Sequence, residues 1–79
     1  MKRIRLSDLK EEKVGVVQGI VLCDIEKHKR LIELGFVSYT KVEMLKNDRR
    51  AKSVVVGVRG YALALDYTIA DGIWVEYYE

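Results

Sequence analysis

Apolar and polar residues change their spacing abruptly within the stretch RLIELGFVSYTKVEM. Leu31 and Leu34 stand three residues apart, as on one face of a helix, whereas Val42 and Met44 alternate with polar residues, as in a half-buried strand. Gly35 lies between the two patterns. It predicts the end of a helix, because glycine readily adopts the left-handed backbone conformation that follows many helix termini.

We predict this helix at about residues 25–34, with Asp24 as an N-cap that accepts hydrogen bonds from the first amides. The preceding segment, VGVVQGIVLCDI, is β-branched and apolar with two glycines, which favours a long strand bent by a bulge. Near the start of the chain, Leu6 and Leu9 stand three apart in RLSDLKEEK. Their spacing predicts a single helical turn or an apolar lid over the core.

Four further segments have the composition of strands: TKVEML, SVVVGV, YALAL and IWVEYY. The polar segment KNDRRAK predicts an exposed hairpin loop between the first two, and DYTIADG a turn or single helical turn before the last. A flat five-stranded sheet would expose one apolar face and two edges, whereas a curled sheet buries that face. The pattern therefore predicts a mainly β fold, a small five-stranded barrel with one short helix.

Composition limits the size and class of this fold. The chain has 79 residues, enough for one domain that buries roughly 60% of its unfolded surface, so we treat residues 1–79 as a single domain. Apolar residues make up 49% and charged residues 33%, the balance of a globular chain. The net charge of +2 is far from the strongly basic field of nucleic-acid-binding proteins, so we expect no nucleic-acid partner.

Location is predicted from the cysteine count and the hydropathy. Cys23 is the only cysteine, so no internal disulfide can form and a reducing compartment, the cytoplasm, is favoured. The basic start MKRIRLSDLK is not followed by the apolar run of a signal peptide, and no segment approaches the ~20 apolar residues of a membrane span. We therefore expect no direct insertion into a membrane.

The segments KRLIELGF, TKVEM, VVVGVRGYALAL and TIADGIWV together resemble the FeoA family of ferrous iron transport proteins. The resemblance extends roughly from Leu6 to Val75. Many members have a Pro-Gly turn before the threonine, where this chain has Ser38 and Tyr39. The positions that fit the family pattern are Arg30, Leu31, Leu34, Gly35, Thr40, Val42, Gly60, Leu63, Leu65, Ala70, Ile73 and Val75.

This resemblance implies an SH3-like barrel that acts as a small cytosolic accessory protein of ferrous iron transport. Its implied partner is the cytosolic GTP-binding part of a FeoB-type membrane permease. The same fold resembles the C-terminal domain of iron-dependent repressors, so a regulatory or metal-responsive module is the alternative. Homo-oligomerisation is left open by the sequence.

One cluster contains residue types that bind transition metals: Cys23, Asp24, Glu26 and His28 fall within a single short segment. A closed zinc site needs more Cys and His ligands than the single cysteine and single histidine of this chain. Its acidic residues are also spread among lysines and arginines that repel a cation. We therefore predict no bound metal and no other cofactor, and interpret Cys23 as a small, buried apolar residue.

Catalytic motifs are absent from the sequence. There is no Gly-rich phosphate-binding loop, and one histidine with scattered serines gives no plausible catalytic triad, so we predict that this chain is not an enzyme. The cations Lys46, Arg49, Arg50 and Lys52 form a charged hairpin tip. We interpret them as the rim of an interaction surface or as a solubilising tip, not as a site that reads phosphates.

Aromatic residues are the candidates for partner binding, because Tyr and Trp provide large contact areas with few rotatable bonds. We predict a docking patch that contains Phe36, Tyr39 and Tyr61. The protein would then work by docking through this patch, and not by holding iron itself.

An alternative distribution of the aromatic residues is that Phe36 and Trp74 fill the barrel while the tyrosines lie on its surface. Tyr77 and Tyr78 are a special case, because consecutive residues of a strand point to opposite faces. One of these two side chains must therefore leave the core.

Overall fold

The computed structural model describes residues 2–77, which form one antiparallel sheet of six strands in the order β1-β6-β2-β3-β4-β5. The strands are β1 (Lys2–Arg5), β2 (Val14–Ile20), β3 (Lys41–Asp48), β4 (Ser53–Val58), β5 (Tyr61–Asp66) and β6 (Ile73–Tyr77). Two helices, α1 (Ile25–Glu33) and α2 (Tyr67–Ala70), and a 3-10 turn at Leu6–Asp8 complete the fold.

The predicted mainly β fold class is confirmed, with a different number of elements. The described residues contain six strands instead of five, because β1 at Lys2–Arg5 was not predicted. The predicted helical turn near the start is present, and Leu6 and Leu9 are both fully buried. The turn predicted in DYTIADG is the short helix α2. Tyr77 is half-buried, whereas Tyr78 lies outside the described residues.

Helix α1 begins and ends where its sequence predicts. The Asp24 side chain caps its start by accepting the backbone N–H groups of Glu26 and Lys27, at 3.0 and 3.2 Å. Gly35 follows its end with a φ of +108°. The Phe36 N–H donates to the carbonyl of Leu31 at 3.0 Å, which completes a Schellman motif. This motif turns the chain back toward the sheet and carries the next side chain inward.

One hydrophobic core lies inside the curved sheet. Strand β4 contributes alternate valines, and β3 contributes Val42 and Met44, as the period-two pattern predicts. The bend predicted in β2 is a register shift against β6 between Val17 and Gly19. The buried apolar side chains of the core are Leu6, Leu9, Val17, Leu31, Phe36, Val42, Met44, Val54, Val56, Val58, Ala70, Ile73 and Val75.

The hairpin between β3 and β4 is longer than predicted, so the interpretation of KNDRRAK as an exposed loop is wrong for its first residues. Pairing continues to Asp48 opposite Ser53. The Asn47 side-chain amide donates to the carbonyls of Ser7 and Leu9, at 2.9 and 3.0 Å, and its oxygen accepts the Tyr67 hydroxyl. Asn47 therefore ties β3 to the 3-10 turn and to α2.

Candidate functional site

Tyr39 is the most exposed aromatic residue of the predicted patch, with 79% of its surface accessible. It occupies the third position of a four-residue turn closed by the Thr40 N–H, which donates to the carbonyl of Val37 at 3.1 Å. Its φ is +71°, a backbone conformation that turns usually assign to Gly or Asn. A bulky residue here is strained, and such strain persists only where the surroundings impose it.

Backbone hydrogen bonds to β2 hold this turn in place. The Tyr39 N–H donates to the carbonyl of Val17 at 2.7 Å, and the Val17 N–H donates to the carbonyl of Thr40 at 2.9 Å. The turn is therefore attached to the sheet on both sides of the tyrosine. It presents an aromatic side chain to solvent from a fixed backbone, which lowers the entropic cost of binding.

Tyr61 lies at the start of β5 and is 44% exposed. Its hydroxyl donates to the carbonyl of Leu34 at the end of α1, which fixes the ring against the helix terminus. The stem of Arg59 lies over Gly35 beside it, since a Cβ built on Gly35 would be 2.7 Å from the Arg59 Cδ. Tyr61 is therefore partly accessible while its hydroxyl already has a hydrogen-bond partner.

The two exposed tyrosines lie at the same end of the sheet but on different turns. Tyr39 precedes β3 and Tyr61 begins β5, with β4 between these strands. Two strand spacings correspond to roughly 10 Å along the sheet. The predicted residues thus lie on neighbouring turns at one end of the fold, and both turns adjoin the end of α1.

Phe36, the third residue of the predicted patch, is 1% exposed and belongs to the core. The Schellman motif at Gly35 turns its side chain inward, so the predicted direct contact of Phe36 with a partner is not available. Phe36 instead forms part of the floor of a groove of about 300 Å³ between β2 and α1. This β2 groove is lined by Gly19, Ile20, His28, Ile32, Phe36, Val37 and Ser38.

Sequence reasoning missed three exposed apolar residues in α1 and in the segment before it, of which Ile32 lines this groove. Val21 is 71% exposed, Ile25 75% and Ile32 44%. Ile25 and Ile32 are seven residues apart in α1, so they lie on one face of the helix, away from the buried Leu31. The signal was present in the sequence as a second apolar stripe, at Ile25 and Ile32, on the predicted helix.

The residues considered as metal ligands do not form a cluster. Cys23 is exposed, so its interpretation as a buried apolar residue is wrong. His28 is half-buried at the edge of the β2 groove. Within residues 2–77, no three His, Cys, Asp or Glu side chains lie together in a way that could hold a metal ion.

The part of the chain that the structure describes also contains no helix long and apolar enough to span a bilayer.

The predicted cationic cluster lies at the turn between β3 and β4. Lys46, Arg49 and Arg50 line an open hollow there, of about 560 Å³. Asp48 also lines it, but its Oδ1 accepts the backbone N–H of Arg50 at 3.0 Å and so shapes the turn. Lys52 adopts a positive φ of 55° in the same turn. The cluster is thus a charged surface beside the sheet, and its role as a rim stays a prediction.

Solved structures of similar proteins share this fold. The FeoA of Stenotrophomonas maltophilia, an SH3 domain protein solved in complex with zinc, is 28% identical, with a TM-score of 0.82 over 92% of this chain and 89% of that chain. FeoA from Chlorobium tepidum is 25% identical, with a TM-score of 0.86 over 96% of this chain and 71% of that chain. The predicted SH3-like architecture is therefore confirmed.

A manganese-dependent transcriptional repressor has the same fold in part of its length. Its TM-score is 0.88 at 18% identity, over 96% of this chain and 42% of the repressor. At that identity the likeness concerns the fold alone. No curated protein matches this chain.

The sequence also matches the family model of the FeoA domain over residues 4–77, which is nearly the whole chain. The match covers β2 to β6 and both helices in full, and the last two residues of β1. It includes all the positions at which the sequence resembles the family, from Arg30 in α1 to Val75 in β6. The chain belongs to the FeoA family.

Proposed function

We propose that this protein is an accessory of ferrous iron transport that docks, through Tyr39 and Tyr61, on the cytosolic GTP-binding part of a FeoB-type permease. Membership of the FeoA family associates the chain with ferrous iron transport. The permease is proposed as partner because the sequence resembles a family of accessories to such permeases. The protein acts by binding and carries out no reaction of its own.

The observation that carries this proposal is the conformation of Tyr39. A large aromatic residue is 79% exposed at a φ of +71°, although glycine would relieve the strain. Backbone strain of this kind is concentrated at functional positions in proteins. Exposed, pre-positioned tyrosines are also enriched among residues that dominate binding energy at protein interfaces. A tyrosine at this strained and exposed position is therefore best explained by a contact with a partner.

The test is a titration of the full-length chain with the soluble GTP-binding domain of the permease, measured by calorimetry. Tyr39→Gly should weaken binding at least about tenfold, because the aromatic contact is lost. The same variant should raise the free energy of unfolding by about 1 kcal/mol, because glycine relieves the strain. A variant that is more stable and yet binds less cannot owe its defect to unfolding.

Val14→Ala is the matched control. Val14 is an apolar residue that is 48% exposed at the start of β2, three residues before the strand position that bonds the Tyr39 turn. Its truncation should leave binding within about twofold. Equal affinities of wild type and Tyr39→Gly would contradict the proposal.

Iron(II) provides the second arm of the test. If the protein works by docking, calorimetric titration with iron(II) should show no tight stoichiometric site, and Cys23→Ser and His28→Ala should change iron uptake little. A stoichiometric site that disappears in either variant would make this protein a metal carrier.

A regulatory module is the second candidate function, because the sequence resembles a fold that is also found in the C-terminal domain of iron-dependent repressors. In this case the chain would associate with a DNA-binding repressor instead of a permease. The two candidates are separated by the partner that is captured, and by whether the neighbouring gene encodes a permease or a winged-helix repressor.

A further inference from the structure

The six-stranded sheet has two outer strands, and β5 is the one with few charged residues. Its sequence YALALD reaches its only charged residue, Asp66, at the last position. Strand β5 pairs with β4 on one side and occupies the end of the sheet on the other. An unprotected outer strand is a template for a further strand.

The turn before β5 determines which backbone groups face this open side. Arg59 and Gly60 have φ values of +49° and +86°, the conformation of a two-residue type I′ hairpin turn. In such a hairpin the flanking pair, Val58 and Tyr61, exchanges both backbone hydrogen bonds. Hydrogen-bonded pairs alternate along the ladder, so the N–H and C=O groups of Ala62 and Ala64 point away from β4. Four backbone groups of β5 are therefore directed at the open edge.

A groove of about 250 Å³ runs between this edge and α1. The floor of this groove is apolar and is continuous with the core-facing side chains of β5. Two of these side chains, Leu63 and Leu65, are only half-buried. Two cations of α1, Lys27 and Arg30, lie at its rim together with one carboxylate, Glu26. The lining residues of this β5 groove are Glu26, Lys27, Arg30, Leu31, Leu34, Leu65 and Ile69.

We propose that an extended segment of the partner protein adds to β5 as a seventh strand and fills the β5 groove. Its backbone would pair with Ala62 and Ala64, and alternate apolar side chains would enter the groove beside Leu65. Carboxylates of the segment would meet the two cations of α1, which complements the charge of the rim. The occupant is therefore an extended segment of alternating apolar and acidic residues.

A second copy of this chain fits the site less well. Its other outer strand, β1, has the sequence KRIR and would bring cations next to Lys27 and Arg30. Pairing of β5 with β5 would involve strands only about 20 Å long, with a contact far below the roughly 800 Å² per partner of a stable interface. A single extended segment, in contrast, contacts β5 and α1 at the same time.

This inference rests on the docking function proposed above and adds the mode of binding. Its test uses Ala64→Pro, which removes the outward N–H of Ala64 and leaves the hydrogen bonds to β4 unchanged. Ala64→Val is the matched control, since it retains the N–H and suits a strand. Circular dichroism and thermal unfolding first establish that both variants are folded.

Binding is measured with the soluble GTP-binding domain of the permease and, separately, with a synthetic peptide of alternating valine and glutamate. We expect the amide protons of Ala62 and Ala64 to become protected from hydrogen exchange in both complexes. Ala64→Pro should weaken binding about tenfold, whereas Ala64→Val should stay within about twofold. A peptide of alternating valine and lysine should bind more weakly than the glutamate peptide.

Each alternative outcome overturns a different statement. If the permease domain binds in a Tyr39-dependent manner while Ala62 and Ala64 stay unprotected and Ala64→Pro binds normally, strand addition is wrong and docking stands. If the permease domain does not bind the wild type, the proposed function fails and the peptide decides on strand addition. In that case, strand addition is wrong if the glutamate peptide does not bind, or if the lysine peptide binds equally well. Self-association that disappears in Ala64→Pro would make the occupant a second copy.

Discussion

The two outer strands of this sheet, β1 and β5, differ in how far they are closed to a further strand. Strand β1 carries cations at three of its four positions. The Arg3 guanidinium donates to Glu76 of β6 at 2.9 Å, and that of Arg5 lies 5.5 Å from the ring centroid of Trp74 in β6. Strand β5 has small and apolar residues instead, and is fixed at its two ends.

This difference shows that an outer strand can be ordered without being closed to partners. Charges along β1 repel an approaching strand, as in many natural sheets. The ends of β5 are held by the Tyr61 hydroxyl on the Leu34 carbonyl and by the Asp66 carboxylate on the start of α2. The backbone between these two anchors is left available.

The largest expected effect comes from disturbing the junction of α1 with the β5 hairpin. Gly35→Val should lower the free energy of unfolding by about 2–3 kcal/mol, because valine is strained at a φ of +108° and its Cβ would meet the Arg59 side chain. Gly19→Ala at the bulge of β2 is the control, because nothing lies within 4 Å of an added Cβ and its φ is not positive. Urea denaturation measures both, and equal midpoints would contradict the assignment of strain to Gly35.

A smaller effect is expected at the other end of β5. Asp66 caps α2 by accepting the Ile69 N–H at 3.0 Å, so Asp66→Ala should cost about 1 kcal/mol. The Thr68 hydroxyl, and then the Ile69 amide, lower the pKa of Asp66 below its usual value of 3.8. The stability that the carboxylate contributes is therefore complete above this value and is lost as the pH falls through the lowered pKa.

Asp66→Asn separates the charge from the cap, since asparagine keeps an acceptor at this position. The destabilisation by Asp66→Asn should shrink as the pH is lowered below about 4, because the wild-type carboxylate then becomes protonated. Urea midpoints at several pH values provide the measurement. A difference that does not change with pH would show that the charge of Asp66 contributes nothing.

The smallest effect is expected at β1. Arg5→Ala should lower the free energy of unfolding by about 0.5–1 kcal/mol, because the cation–π contact with Trp74 is lost. Arg3→Ala should cost less than about 0.5 kcal/mol, since its ion pair with Glu76 is exposed on the arginine side. Static light scattering tests the protective role of these charges: the double variant should associate more than the wild type. Unchanged scattering would show that these charges do not keep other strands away from β1, and that β1 and β5 do not differ in this respect.

Much of this fold was predictable because several signals are local. Asp24 and Gly35 act on amides and carbonyls within a few residues, so the bounds of α1 follow from the sequence. The alternation in β3 and β4 likewise reports which side chains face the core. Tyr39 was predicted at the surface and is there, although nothing in its own residue type indicates a positive φ.

The features that escaped prediction depend on residues far apart in the chain. Strand β1 has no apolar alternation and exists because its backbone pairs with β6, Lys2 opposite Tyr77. Asn47 looks like a loop residue until Ser7 and Leu9 are placed beside it. For the candidate site, Phe36 was assigned to the surface by its aromatic character, and only the backbone reversal after Gly35 shows that it points inward.

The pairing of β1 with β6 has a consequence for the order in which the chain folds. Strands β3, β4 and β5 follow one another through short hairpins, so their contacts close small loops, whereas Lys2 and Tyr77 lie at opposite ends of the sheet's sequence. The entropic cost of closing a long loop must be met before a distant contact can stabilise the chain. The three strands β3, β4 and β5 should therefore pair early, and β1 should dock last. Strand β5 would then be in place while the opposite side of the sheet is still incomplete.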